Sequence, residues 1–347
     1  MASRGTLRPV AVAIAVAVST LQVDAQTKVG VSYQPALYWS LPFYVATEKG
    51  WWKDVDLDPQ FSTFPAGAPQ MAAAPSKSWD VGGTGSPPAV LGAARFNILT
   101  IGIANDESAV TLLVARRNEA EKIEKNPSVL KGEEILLSTN STGEFAAIAC
   151  LKKLGLSLND MKVVNLGPAQ EIAAFSNGNG TVAAAWAPYG FRLQEKAGAK
   201  PICNGKEAGV MVGASLVARA DYAKEHPAEV AKVLAVYLRS IVWQKKNKAE
   251  TMKYQKAFYS QGGVNLPNQF IEQDYDSRPI YDLSEQLSLF DRRAGPSKAD
   301  QWHTALAEYL HSTGTIATIP NANNYLTDEF LKQIEADPKL RAFANGE

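Results

Sequence analysis

Lys28-Val29-Gly30-Val31-Ser32 is a short β-branched run that reads as a strand, followed by Tyr33 and Gln34. Phe43–Trp52 has the spacing of a helix and Leu57–Phe61 of a strand. Pro69–Ala74 then reads as a helix, and Asp80–Gly82 and Ile98–Ile103 as strands. Short strands alternating with helices imply βαβ units and a parallel sheet. The rhythm repeats with strands near Ile135–Ser138, Lys162–Asn165, Ala183–Trp186 and Pro201–Cys203, separated by helices at Phe145–Leu154 and Glu171–Ser176. A second α/β sheet is therefore expected. Beyond residue 220 strand signals nearly stop. Pro227 opens a helix whose apolar stripe is Val230, Val233, Leu234, Tyr237, Leu238 and Ile241, and Trp302, Leu306, Tyr309 and Leu310 repeat that spacing.

The ends and the composition narrow the setting. Arg4 and Arg8 precede an apolar run from Val10 to Val18, and Val23-Asp24-Ala25 has the form of a signal-peptidase site, so residues 1–25 read as a signal peptide cleaved after Ala25. The run is too short to cross a bilayer as a helix, which needs about twenty apolar residues. No Cys stands at the new terminus, Gln26, so no lipid anchor is expected there. The remaining length suits two domains. Lys+Arg and Asp+Glu both number 35, and no block of like charge tracks a phosphate backbone, which argues against nucleic acid as a partner. With 46% apolar and 20% charged residues the chain is globular. Cys150 and Cys203 belong to no metal or redox motif; they are either a disulfide or two buried thiols.

Strand-to-helix turns are where open α/β sheets place ligands. Ser138-Thr139-Asn140-Ser141-Thr142-Gly143-Glu144 follows a strand and opens a helix, whose first N–H groups lack intrahelical partners and attract anions. Ser141 and Glu144 also have capping-box spacing, which would satisfy those donors internally. Gly82-Gly83-Thr84-Gly85-Ser86-Pro87-Pro88 is a second such turn, with two hydroxyls and glycines that admit close approach. It matches neither a nucleotide-binding loop nor a nucleophile elbow. His226, His303 and His311 all lie in the helical third, as surface or packed residues, so neither a hydrolytic triad nor a catalytic metal is expected. Asp106 and Glu107 follow a strand, where solvated loop acids are the simpler reading and contact with a ligand cation the alternative. Trp186 ends a strand, either as a cleft wall or as core.

The echo of Leu113-Val114-Ala115-Arg116 in Leu216-Val217-Ala218-Arg219 suggests two adjacent crossover strands acting as a hinge between lobes. The expected division is 26–115 plus 217–347 for the first lobe and 116–216 for the second.

Taken in order, Val31-Ser32-Tyr33-Gln34, Trp79-Asp80-Val81-Gly82, Gly85-Ser86-Pro87, Asn105 with Glu107, Ser141-Thr142, Val164-Asn165-Leu166-Gly167-Pro168 and Trp186-Ala187-Pro188 resemble the taurine, alkanesulfonate and nitrate branch of ABC-importer binding proteins, the taurine-binding members most of all. The resemblance implies an α/β, two-lobed periplasmic-binding-protein fold, type II-like, with two crossover strands as hinge. It implies a monomeric periplasmic protein, not an enzyme and without cofactor or metal, that captures a small organic anion and passes it to a membrane permease and its ATPase. The ligand set implied is Tyr33, Gln34, Gly83, Thr84, Ser86, Glu107, Ser141, Thr142, Gly143 and Trp186. In this scheme the hydroxyls and N–H groups hold a sulfonate, Trp186 forms a wall, and Glu107 faces an ammonium. Gly213-Ala214-Ser215 stands where taurine-binding relatives tend to carry an acid, which weakens the case for an amine on the ligand and keeps an alkanesulfonate or another small carboxylate or sulfonate open. Nitrate, bicarbonate, an aromatic acid or a pyrimidine precursor are alternative cargoes, and an enzyme of thiamine-precursor synthesis on the same fold is the rival of another class.

Overall fold

The computed structural model describes residues 1–2 and 26–347, so the signal-peptide reading of residues 1–25 falls, past Ala2, outside the described residues. The alternation of strands and helices folds into two five-stranded sheets. In the first, β1 (Thr27–Tyr33) pairs in parallel with β2 (Leu57–Thr63) along its whole length and with β3 (Val81–Gly85); β4 (Ile98–Asp106) lies at the far edge. The second contains β5 (Thr111–Ala115), β6 (Glu134–Leu137), β7 (Lys162–Asn165), β8 (Val182–Trp186) and β9 (Lys200–Asn204). β10 (Gly213–Arg219) returns to the first sheet.

The strand orders are β2-β1-β3-β10-β4 and β7-β6-β8-β5-β9. Each sheet thus has four strands running one way and one strand, β10 or β5, antiparallel to both neighbours. That inserted strand arrives from the other half of the molecule. The echoing segments are therefore equivalent strands in opposite sheets and do not pair with each other, contrary to the reading of adjacent crossover strands. The segments that do adjoin are shorter and lie at residues 107–110 and 205–212. There the Glu107 N–H donates to the Val212 carbonyl at 2.8 Å, and the Val212 N–H donates to Ser108 Oγ at 2.9 Å. Thr111–Ala115, assigned to the first lobe by sequence, joins the second sheet, and Gly213–Leu216, assigned to the second, joins the first. Four similar letters marked strands of the same type; they carried no information about partners.

The helical third is partly what its stripes predict. Helix Pro227–Lys246 buries Val230, Val233, Leu234, Tyr237, Leu238 and Ile241 against helix Leu41–Lys49 and the terminal helices Glu329–Ala336 and Pro338–Ala344. Each such side chain is worth about 1.5–3 kcal/mol of burial. Helices Lys248–Gln261 and Asn268–Asp276 behave differently. They carry Phe258, Tyr259 and Ile271 into a cluster with Leu112, Val114, Ala183 and Phe191 of the second half, so this segment packs on both sheets. Cys150, in helix Thr142–Lys153, and Cys203, in β9, form a disulfide with Cα atoms 5.8 Å apart, which settles their open pairing.

Candidate functional site

Residues at the C-terminal ends of β1, β3, β6 and β8 converge on a narrow cavity of about 30 Å³ between the two halves. One wall is Gln34, Leu37, Trp39, Gly85 and Pro88 from the first half; the other is Ser138 to Thr142 and Trp186 from the second, with Glu107 from the first crossing segment between them. The halves touch here. A Cβ on Gly85 would stand 2.9 Å from Thr142 Cγ2, so only glycine allows this approach.

Local sequence shapes the second-half wall. Ser141 caps helix Thr142–Lys153, its Oγ accepting from the Glu144 N–H at 3.2 Å and donating to the Ser138 carbonyl at 2.6 Å. The reciprocal bond expected of the capping box is displaced by one residue, because Glu144 Oε2 accepts from the Asn140 N–H at 2.7 Å. Asn140 takes a left-handed φ of 56°, which its short polar side chain tolerates and which turns the chain into the helix. This twelve-residue helix directs its N-terminal end at the cavity.

The first-half turn is poorer in donors than its sequence promised. Pro87 and Pro88 have no N–H to offer at the start of helix Ser86–Phe96. The Ser86 hydroxyl bonds Ser215 Oγ at 2.8 Å, which in turn meets His303 Nε2 at 3.3 Å. This chain runs behind the wall. Burial lowers the His303 pKa to about 4, leaving the ring neutral at pH 7.

Five of the ten sequence-selected residues line the cavity: Gln34, Glu107, Ser141, Thr142 and Trp186. The other five lie elsewhere. Thr84 is a layer beneath, its Oγ1 accepting from Gln34 Nε2 at 3.2 Å, and Gly83 backs onto the Trp39 ring. Gly143 packs on the Ala184 carbonyl, Ser86 turns to Ser215, and Tyr33 lines a separate aromatic pocket with Tyr44, Phe61 and Phe258. Gln34 is oriented by Gln70, which accepts from its Nε2 at 2.7 Å and donates to Ser32 Oγ and the Gly83 carbonyl.

Glu107 is not a solvated loop acid. It is 3% exposed, and its Oε2 accepts from Arg278 Nη1 at 2.8 Å. Arg278 also donates from Nε to Asp274 Oδ1 at 2.6 Å and from Nη2 to the Ala187 carbonyl at 3.3 Å. Asp274 Oδ2 accepts further bonds from Gln255 and the Tyr259 hydroxyl. Burial raises the Glu107 pKa, while Arg278 and then the Thr142 hydroxyl pull it down. Burial works against the Arg278 charge, but Asp274 and Glu107 together hold its pKa above the ordinary value. Among the described lining residues Glu107 is the one titratable group. Trp186, 6% exposed, has an indole N–H with no hydrogen-bond partner among the described residues.

Sequence reasoning missed Arg278, which lies in the helical third where no motif marked it. Leu37 and Trp39 follow β1 directly, and their proximity to Gln34 was the available signal. The site offers an orphaned indole N–H and a helix N-terminus around a buried, partly neutralised carboxylate, while the Ser138, Ser141 and Thr142 hydroxyls are already bonded to the Leu166 carbonyl, the Ser138 carbonyl and Glu107. Such a set suits an anion of low basicity, held by neutral donors.

The sequence pattern of the NMT1/THI5-like family matches residues 39–251, more than half of the protein. The chain belongs to the NMT1/THI5-like family. A Bacillus subtilis relative named for binding aliphatic sulfonates is 29% identical over 211 residues, covering 59% of this chain and 63% of the relative. The taurine-binding periplasmic protein of Escherichia coli is 30% identical over 180 residues, covering 50% of this chain and 52% of that one. Matches to these curated relatives thus span between about half and under two-thirds of their length. The alkanesulfonate-binding protein SsuA of Xanthomonas axonopodis pv. citri, solved bound to MOPS, superposes with a TM-score of 0.71 at 20% identity, over 87% of this chain and 98% of that one. The NMT1/THI5-like chain therefore has the α/β, two-lobed periplasmic-binding-protein fold.

Proposed function

We propose that the protein is the periplasmic substrate-binding component of an ABC importer, a clamp that captures a small aliphatic sulfonate, taurine foremost, and delivers it to a membrane permease. The carrying observation is the interlobe cavity in which the unpartnered Trp186 N–H, the Ser141–Thr142 helix start and Gln34 converge. A sulfonate is weakly basic and is held by directed donors more than by a full counter-charge; the free Trp186 N–H and the first N–H groups of helix Thr142–Lys153 support this reading, while the Gln34 amide, its protons given to Gln70 and Thr84, shapes the opposite wall. Two carboxylates, Glu107 and Asp274, share the one Arg278 guanidinium. The resulting negative excess lies at the wall and suits an ammonium at the far end of a zwitterion. The names of the two curated relatives support the sulfonate class.

Titration calorimetry on residues 26–347 with taurine, ethanesulfonate, nitrate and bicarbonate tests this reading. It expects one sulfonate per chain, weaker binding in Trp186→Phe and Ser141→Ala, and a greater loss for taurine than for ethanesulfonate in Glu107→Gln. Equal losses would discard the ammonium role of Glu107, and binding of only the inorganic anions would discard the sulfonate.

A further inference from the structure

The turn that faces the cavity is held from both sides. Its second-half residues Asn140, Glu144 and Phe145 are each engaged by the first half, through the helix Lys298–Ser312 and the residues just after it. That helix packs on helix Ser86–Phe96 of the first half. The Tyr309 hydroxyl donates to Glu144 Oε2 at 2.7 Å, the same oxygen that accepts from the Asn140 N–H. The Thr315 hydroxyl donates to Asn140 Oδ1 at 2.8 Å, and the Thr315 carbonyl is itself held by Arg95. Phe145 meets the Tyr309 ring at 5.0 Å between centroids, and Phe145 and Ala146 join the hydrophobic cluster of the first half.

We infer that Tyr309 and Thr315 are positioning residues forming a closure latch: they bind the anion turn across the cleft and so govern how long a ligand stays, without touching it. Three features lead there. Glu144 bridges the N–H of Asn140, a cavity-wall residue, and the Tyr309 hydroxyl, so one carboxylate links the turn's shape to the lobe contact. Both hydroxyl bonds cross from one half to the other, so rotating the lobes apart breaks them. Burial, with Glu144 next, raises the Tyr309 pKa, so the hydroxyl keeps the proton it donates. Interactions present in the closed form alone shift the open–closed equilibrium by their full worth. Closing traps the ligand, so their loss appears in dissociation rather than in encounter.

This inference rests on the sulfonate reading for its ligand, and the experiment separates the two. Stopped-flow binding of taurine and ethanesulfonate to the unsubstituted protein and to Tyr309→Phe, which keeps the ring beside Phe145, should show dissociation about tenfold faster in the variant with association unchanged. Thr315→Ala should do the same to a smaller degree. Unchanged dissociation, or an association rate that falls by the same factor, would overturn the latch. If the unsubstituted protein binds neither sulfonate, the functional reading fails. The latch is then decided by small-angle scattering of the ligand-free proteins: a larger radius of gyration for Tyr309→Phe upholds it, and equal radii overturn it.

Discussion

Replacing Arg278 by Met removes the cation on which three parts of the molecule converge: Glu107 in the crossing segment, Asp274 in helix Asn268–Asp276, and the Ala187 carbonyl next to Trp186. The Arg278 side chain is fully buried and its two acidic partners nearly so, so the variant leaves two carboxylates in the interior with no counter-charge. Breaking a buried ion pair in this way costs about 3–5 kcal/mol. With an unfolding entropy of about 2.1 cal/mol/K per residue over the ~320 described residues, that loss lowers Tm by roughly 4–7 °C if the chain melts as one unit. The pH dependence has a definite sign. Burial already raises the Glu107 pKa against the pull of Arg278. Without Arg278 only the Thr142 hydroxyl opposes burial, and the folded state takes up a proton at higher pH than the unfolded state does. Stability of the variant then falls as pH rises from the unfolded carboxyl value, about 4.3, through the raised folded one. Thermal unfolding followed by circular dichroism should therefore show a larger deficit at pH 7 than at pH 5. Adding Glu107→Gln to Arg278→Met should restore part of the loss. A deficit under about 1 kcal/mol at pH 7, or one that grows on acidification, would refute the reasoning.

Other consequences are open to the same kind of test. The Cys150–Cys203 bridge spans a sequence separation of 53 residues, and the chain-entropy relation gives about 4 kcal/mol for such a loop. Denaturant melts of a Cys150→Ala/Cys203→Ala form should show most of that loss, and an unchanged midpoint would remove the bridge from the stability account. Glu171 is buried with neither carboxylate oxygen partnered among the described residues, and burial raises its pKa well above the ordinary value. The folded carboxyl keeps its proton at a pH where the unfolded chain has lost it, so stability falls as pH rises above the unfolded value of about 4.3, and Glu171→Gln should stabilise the protein at pH 7 and flatten its stability curve toward acid; a less stable variant at pH 7 would contradict this. His303, lowered by burial to about 4, contributes stability that is complete above its unfolded value of about 6.5 and is lost as pH falls toward 4. The window is worth about 3 kcal/mol, and His303→Gln should remove that component from the acid limb of the unfolding curve.

Strand and helix positions were legible because each follows a local period. Lys162–Asn165 falls on the strand as read, and the stripe from Val230 to Ile241 is buried as its spacing requires. Partnership was not legible. The segments ending in Arg116 and Arg219 look alike because each is the antiparallel insertion of its own sheet, but which sheet each enters depends on contacts distant in sequence. The same division runs through the site. Ser141, Thr142, Gln34 and Trp186 sit at strand ends, where open α/β sheets expose side chains to a cleft, and the sequence marked them for that reason. Ser86 had the same credentials, yet Ser215, over a hundred residues away, takes its hydroxyl. Arg278 and Tyr309 act on the cleft from helices whose periodicity speaks of core packing. A packed helix position and a positioning residue share one pattern, and their difference lies in what faces them.

The most direct test of the central claim is a sulfur anomalous difference map from crystals grown with taurine. The account predicts one ligand sulfur peak in the interlobe cavity, beside the Trp186 indole N–H and the helix start at Ser141–Thr142, with the ammonium toward Glu107. A ligand sulfur elsewhere on the molecule, or an interlobe cavity holding no taurine at saturating concentration, would contradict it.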